Sequence, residues 1–447
     1  MLKPGRVLAR ARGGVGRPRH HVTLAIETSC DDTGVAVLRQ GRGGHKVQTE
    51  LLFNEREASD NRAFGGVNPR VAVQAHNERL ALLVKRALAA LAEAKDEAQD
   101  DAQDEAQDDA QDDAKAANSP PRRRPDLVAA TRGPGIASNL SVGLNMAKGL
   151  AVAWDVPFAA VHHMQAHALT PRLAHALGLG PPADFPFASL LVSGGHTQLV
   201  LSSSLTHHRV IASTADIAVG NLLDQTARVI LPPDLLAASP DVMYGRQLDA
   251  FAFASPHDMA CLSLPLTRAD ELAATPTGYS WSLPVPLCQT RRLAFSFAAI
   301  HSAVHRIAHA AMPLQERRAL ARHTLLTAFQ HIASRLCIAL DDDAELRSAA
   351  TRLVLSGGVA ANSFLAHVLR STLDARRHSH VGLLVSPPAL CTDNAAMIAW
   401  TALEMYQAGW LSHLSAIPLP RWSMDAAVDK GVLGGDALST RPSFEPS

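Results

Sequence analysis

The stretch AAVHHMQAHALT, residues 159–170, places three histidines within six positions. His163 and His167 are four apart, a spacing that sets two side chains on one face of a helix. Two imidazoles so placed can ligate a metal ion. They can equally be packed core residues, and a chain with 21 histidines will contain close pairs by chance. Asp393 offers a third group. It lies in the polar turn of LLVSPPALCTDNAAMIAW, residues 383–400, just before the apolar run AAMIAW. There it can cap the helix that follows. If it instead faces the histidine helix, the three make a two-histidine, one-carboxylate set with open coordination positions. Such a set suits iron or zinc and leaves space for a substrate oxygen.

The elements that would carry these groups are legible as strands and glycine-rich turns. HVTLAIETSCDDTGVAVLRQ, residues 21–40, reads as an apolar strand, a polar turn and a second strand, and FASLLVSGGHTQLVLSSS, residues 187–204, repeats that design. Two such hairpins, each opening a half of the chain, hint at internal duplication. TRLVLSGGVAANSFLAHVL, residues 351–369, runs from a buried strand through Gly357 and Gly358 into an amphipathic helix. Glycines at such a turn let backbone amides approach a phosphate, and the helix start favours negative charge. Asn362, in the first turn, can hydrogen-bond a nucleotide or a sugar. ATRGPGIASNLSVGLNMAKGLAVAWDVP, residues 130–157, adds a GPG turn before a helix with small residues at Ala137, Ser141, Gly143 and Ala147. That stripe allows close packing or room for a ligand. One glycine turn is an ordinary tight turn; several, spread over two similar halves, favour a nucleotide held in a cleft.

The 447 residues suffice for two or three domains, with 47% apolar and 19% charged residues, as in soluble globular chains. Aromatics are only 4%, so the cores must rest on Ala, Val, Leu and Ile. No apolar run approaches the ~18 residues of a membrane helix, and no membrane contact is expected. The five cysteines are spread out and contain no CxxC pair, which argues against a disulfide framework or a zinc ribbon. The balance of 42 basic and 42 acidic residues conceals two opposed segments. Residues 1–22 hold six basic residues and no acidic one, a composition like that of a mitochondrial transit peptide, expected over residues 1–21. AQDDAQDEAQDDAQDD, residues 98–113, lacks any residue with which to build a core, so residues 95–118 are expected to be a disordered acidic insertion. If the chain binds RNA it does so through a local patch, for which Arg122, Arg123 and Arg124 are one candidate.

Seven motifs in order, IETSCDDTGVAVL, FGGVNPR, RGPG, VHHMQAH, LLVSGGHTQLV, LSGGVAANSFL and CTDNAAMIA, resemble those of the TsaD family of tRNA N6-adenosine threonylcarbamoyltransferases. The resemblance spans about residues 22–230 and 290–422, and the basic leader and DDT variant look most like the mitochondrial branch. It implies an α/β fold of the actin-like, Hsp70-like (ASKHA) kind, two lobes with a cleft between them. The N-terminal lobe would span residues 22–185, the C-terminal lobe 186–425, and a flexible tail 426–447. It implies one divalent metal ion per subunit, iron or zinc, on His163, His167 and Asp393, with His162 as a packing or supporting residue. The family's substrate loop falls on Ser193, Gly194, Gly195, His196 and Thr197, and the aspartate that follows it falls on Asp224. Gly245 falls near the next family glycine, and Asn362 on the substrate-contacting asparagine behind Gly357 and Gly358. The activity implied is transfer of threonylcarbamoyl from threonylcarbamoyl-AMP, made by a separate synthase, to N6 of the adenosine 3′ to the anticodon in ANN-decoding tRNAs. A homodimer in the mitochondrial matrix is implied with it.

Some segments depart from that pattern. VGNLLDQ stands where the family has a sequence close to AGEAFDK, residues 231–290 have no clear counterpart, and His301 of FSFAAIHS replaces a common lysine. For the proton acceptor the candidate is Asp31, because a carboxylate in the first turn would point into the cleft. A zinc peptidase is excluded by chemistry: Met164 occupies the place of the HExxH glutamate and cannot accept a proton. A kinase or NTPase of the same fold explains the glycine turns but not the three convergent ligands. A nucleotide- and tRNA-binding scaffold stays open because the 221–301 region is altered.

Overall fold

The computed structural model describes residues 20–43, 46–94, 124–253, 258–259, 262–265, 267–434 and 438–440. The leader up to residue 19, the acidic insertion 95–118, and Arg122 and Arg123 lie outside the described residues.

Two mixed sheets carry the chain. In the first, β1 (His21–Glu27), β2 (Asp32–Gly43) and β3 (Lys46–Ala58) form an antiparallel meander. The strands β4 (Leu127–Gly133) and β5 (Phe158–His162) extend it in parallel beyond β1. In the second, β6 (Phe187–Val192), β7 (Thr197–Ser202) and β8 (His208–Thr214) make the meander. A two-residue β9 (Ala294–Phe295) lies on its outer edge, and β10 (Arg352–Ser356) and β11 (Gly382–Val385) extend it in parallel beyond β6. The orders are β3-β2-β1-β4-β5 and β11-β10-β6-β7-β8-β9. Apart from β9 they are one pattern used twice, so the duplication hinted at by the two hairpins extends to whole sheets.

Among the described residues, nine longer helices cover these sheets: α1 (Pro69–Glu93), α2 (Ala137–Trp154), α3 (His163–Ala176), α4 (Val219–Ile230), α5 (Tyr244–Ala252), α6 (Ala298–Ile307), α7 (Leu314–Asp342), α8 (Ser363–Ala375) and α9 (Ala395–Gln407). The first sheet is sandwiched, which is why its central strands read as unbroken apolar runs. Leu24 and Ile26 of β1 pack with Leu80, Leu83 and Leu144 of α1 and α2. Ala25 faces the other way, toward Met397, Ile398 and Leu403 of α9. The second sheet shares a larger core with α4, α5, α7 and α8, centred on Phe295, Phe297, Phe329 and Phe364. In α2, a Cβ on Gly143 would collide with the Thr28 hydroxyl and press on Ile26 of β1, so Gly143 serves close packing, and Ala147 is buried beside it, whereas Ala137 is exposed and Ser141 only partly buried. Among the described residues no helix is long and apolar enough to cross a membrane.

Two boundaries differ from expectation. The sheets do divide between residues 162 and 187, but α9, drawn from the later segment, packs on the first sheet. The expected flexible tail from residue 426 is partly folded. Met424 and Val432 are buried with Met164, Ala168 and Leu191, and the Trp422 indole N–H donates to the Gly431 carbonyl at 2.9 Å. β13 (Leu438–Thr440) pairs antiparallel with β12 (Trp410–Ser412). A few apolar side chains among glycines and aspartates complete a small core, and composition alone hides them.

Candidate metal centre and substrate cleft

The helix α3 begins where β5 ends, with no loop between them. His162 is its N-cap: Nδ1 accepts the Gln165 amide at 3.3 Å and Nε2 lies 3.1 Å from the Trp422 carbonyl oxygen. One neutral tautomer satisfies both contacts, and burial keeps the ring neutral by pushing its pKa down to about 3. His163 and His167 follow on one face, their rings edge-to-face with centroids 4.7 Å apart.

Asp393 is free to meet them because its neighbour does the capping. Asn394 accepts the Met397 amide at 3.0 Å, and its own NH2 donates to the carbonyls of Leu390 at 3.2 Å and Thr392 at 2.7 Å. Asp393 Oδ1 lies 3.0 Å from His167 Nε2 and 3.5 Å from His163 Nε2. One ligand atom from each residue falls within 4.8 Å of the others. Both imidazoles are buried, while the Asp393 side chain keeps 26% of its surface exposed, leaving an open side. Burial opposes charge on His163, yet Asp393 and Glu27 outweigh it and raise its pKa to about 10. Burial likewise opposes the Asp393 carboxylate, which His163 and His167 hold well below the ordinary range. The pocket therefore favours positive charge, and its donor set fits a divalent cation.

Glu27, at the end of β1, was not singled out from the sequence. Its Oε2 lies 3.1 Å from His163 Nδ1 and accepts the Thr131 hydroxyl at 2.6 Å, and its Oε1 accepts the Ser29 amide at 2.5 Å. Burial would raise its pKa; His163 holds it below the ordinary value. The only linear signal was a carboxylate closing an otherwise apolar strand.

The turn after β1 is held from several sides. The Cys30 carbonyl accepts from the Asn139 amide and, at 3.1 Å, from His76; the Ser29 carbonyl accepts the Ile136 N–H at 2.9 Å; the Asp31 carbonyl accepts the Ser59 N–H at 2.9 Å. Burial, with Asp393 adding to it, raises the Asp31 carboxyl above its usual pKa against a hydrogen bond from Cys30. Asp32 is paired instead with Arg56 at 2.6 Å.

The second hairpin closes as a tight turn. Ser193 N–H donates to the His196 carbonyl at 2.8 Å, and His196 N–H donates to Ser193 Oγ at 3.1 Å. Gly194 and Gly195 lie exposed at its tip with open space beside their Cα atoms. Gly220, in the first turn of α4, comes so near that a Cβ would lie 2.6 Å from the Ser193 carbonyl oxygen. Gly357 has φ +99° and its position would press a Cβ into the Val192 carbonyl; Val359 N–H donates to that same oxygen at 3.0 Å. Gly358 lies beside Thr392 and hence beside the Asp393 loop. Burial, then His163 and His167, push His196 down to about 4, so it is neutral and close to the centre.

Other expected contacts have structural partners. Thr197 is buried and its hydroxyl accepts the Val219 N–H at 2.9 Å, tying β7 to α4. Asn362 caps α8 by accepting the Leu365 N–H at 3.0 Å, and its side chain also reaches Asp249. Asp224 Oδ1 accepts the Gly245 N–H at 2.7 Å, so those two residues, distant in sequence, form one unit. Burial raises Asp224 to about 6, and the charge of Asp31 adds to the effect. His163, His167, Asp393, His196, Asp31 and Gly358 thus gather around one centre, Asp224 with Gly245 stands near Asp31, and Gly220 and Glu27 support the arrangement.

The TsaD family profile, described as tRNA N6-adenosine threonylcarbamoyltransferase, matches residues 111–400. The mitochondrial tRNA N6-adenosine threonylcarbamoyltransferase of Schizosaccharomyces pombe is 35% identical over 415 residues, covering 90% of this chain and 86% of that protein. The tRNA N6-adenosine threonylcarbamoyltransferase of Bradyrhizobium sp. is 32% identical over 424 residues, covering 94% of this chain and all of that protein. Among solved structures, YeaZ from Pseudomonas aeruginosa is 18% identical, covers 42% of this chain and 67% of that one, and gives a TM-score of 0.22, an overlap that carries no argument.

Proposed function

Since the chain belongs to the tRNA N6-adenosine threonylcarbamoyltransferase family, we propose that it moves the threonylcarbamoyl group of threonylcarbamoyl-AMP onto N6 of the adenosine 3′ to the anticodon in ANN-decoding mitochondrial tRNAs. The chain is a transferase that modifies tRNA. The observation that supports the finer reading is the convergence of His163, His167 and Asp393 beside the exposed glycines of the SGGHT turn. The repeated sheet order supports an actin-like, two-lobed arrangement with the substrate cleft between the lobes.

In this reading His163, His167 and Asp393 hold one divalent ion, iron or zinc, per subunit. When bound, such an ion polarises and orients oxygens of the donor. Amides of Gly194, Gly195 and Gly358 receive the AMP portion and stabilise the phosphate charge that develops as it leaves. Neutral His196 offers a hydrogen bond without adding charge. The N6 lone pair attacks the carbamoyl carbon; a C–N bond forms, the C–O bond to phosphate breaks, and AMP departs with the bonding pair. The amine proton passes to a base, for which Asp31 is the candidate: its pKa is raised by burial, and the charge of Asp393 adds to the effect. A poor nucleophile gains most from being held in register with its electrophile.

The donor comes from a separate synthase, and the working form is a homodimer in the mitochondrial matrix. The arginine-rich leader supports the location, as does the mitochondrial name of the S. pombe relative. The test incubates metal-loaded protein with an ANN-decoding tRNA transcript and threonylcarbamoyl-AMP, followed by mass spectrometry of the nucleosides. Modified adenosine from the parent and none from His163→Ala/His167→Ala is expected. No product from the folded, loaded parent would leave an actin-like NTPase or a scaffold.

A further inference from the structure

We propose that Glu27 is a positioning residue of the metal centre, selecting the tautomer in which His163 presents its Nε2 lone pair to the ion. The inference rests on the metal reading above and adds a residue to it. A neutral imidazole carries one N–H, and a ligating nitrogen must be the one without it. Glu27 Oε2, 3.1 Å from Nδ1, can only accept, so when an ion takes Nε2 the one remaining imidazole proton is held on Nδ1; without an ion, Asp393 faces Nε2 as a second acceptor at 3.5 Å. Glu27 cannot swing away, because the Thr131 hydroxyl at 2.6 Å and the Ser29 amide at 2.5 Å hold its two oxygens.

The two histidines are unequal in this respect. Among the described residues, the buried His167 Nδ1 has no hydrogen-bond partner, so none of them fixes its tautomer from behind. His163 is the anchored ligand and His167 the adaptable one. Charge points the same way. Glu27 and Asp393 together bring two negative charges next to two imidazoles that are neutral when they ligate, which balances a divalent cation.

Glu27→Gln gives a sharp test, because the amide NH2 can donate to His163 Nδ1 and move the imidazole proton to Nε2, where it blocks the ligand position. Full-length parent, Glu27→Gln and Glu27→Asp proteins are titrated with Zn2+ against a chromophoric chelator, and metal-free melting is recorded for each. Co2+ absorption spectra of the loaded proteins report ligand geometry. Glu27→Gln is expected to weaken Zn2+ about 10–100-fold and to alter the Co2+ bands. Glu27→Asp, which keeps the charge but withdraws it by one methylene, is expected to weaken Zn2+ less, and Thr131→Val by a few-fold. If Glu27→Gln does not fold, Glu27→Asp and Thr131→Val carry the comparison. Zn2+ affinity and Co2+ spectra matching the parent in the folded variants would overturn the role of Glu27. Absence of Zn2+ and Co2+ binding by the parent would instead overturn the metal reading itself, and this proposal with it.

Discussion

Asp224 sets stability against use. Its carboxyl is raised to about 6 by burial, while an unfolded aspartate titrates near 3.8. The folded state therefore disfavours the ionised form, and stability falls as pH rises from about 4 to 6 and stays lowered above. The gap corresponds to at most roughly 3 kcal/mol, less for a side chain that keeps some solvent. Asp224→Asn retains an oxygen for the Gly245 amide and removes that penalty. It should unfold at higher urea than the parent at pH 8 and alike at pH 4, while transfer activity falls; a parallel offset at both pH values would refute the assignment. Gly220→Ala is expected to cost about 1–3 kcal/mol, because its Cβ would meet the Ser193 carbonyl and the Gly194 amide, both backbone atoms that must shift. Denaturation and product yield measure it, and unchanged yield would detach the SGGHT turn from the chemistry. His163 and His167 were legible because four-residue spacing is a helix property. Glu27 was not, since its partners His163 and Thr131 lie more than 100 positions away.

Elements decide which residues are free to act. The polar turn before α9 offers three side chains of capping type, Thr392, Asp393 and Asn394, and only the last caps: Asn394 takes the Met397 amide and pins the Leu390 and Thr392 carbonyls, and Asp393 is left for the imidazoles. Asn394→Ala should lower stability by about 1–2 kcal/mol through the lost cap. It should also weaken Zn2+, because the loop that aims Asp393 loses its ties; normal Zn2+ affinity in a destabilised variant would separate the two roles. Helix starts and glycine turns could be read locally. That α3 and α9 lie against each other could not, for it follows from sheet order. Likewise Gly143 reads as neutral between ligand and packing until Thr28 is known to lie opposite.

At the scale of the molecule, the end of the described chain braces the centre from behind. The Trp422 ring lies 4.5 Å from His162, the residue that caps α3, and the Arg132 guanidinium stands 5.4 Å over it. Trp422→Ala is expected to cost about 2–4 kcal/mol, read from denaturant midpoints; an unchanged midpoint would make this segment passive. Its low apolar content concealed that role, whereas the α/β class was implied by the seven-motif family resemblance, with the two hairpins and the glycine turns before helices consistent with it. The repeated sheet order bears on the ligand set in another way. The helices α3 and α9 each follow the outermost parallel strand of their sheet, so the imidazole pair and the carboxylate come from equivalent places in the two repeats. Two identical copies related by a two-fold axis would have to present the same side chains from both helix starts. Joining the repeats in one polypeptide lifts that restriction: one start can specialise in nitrogen donors and the other in oxygen, so that the metal site proposed above would be lopsided, with one face open for the reactant.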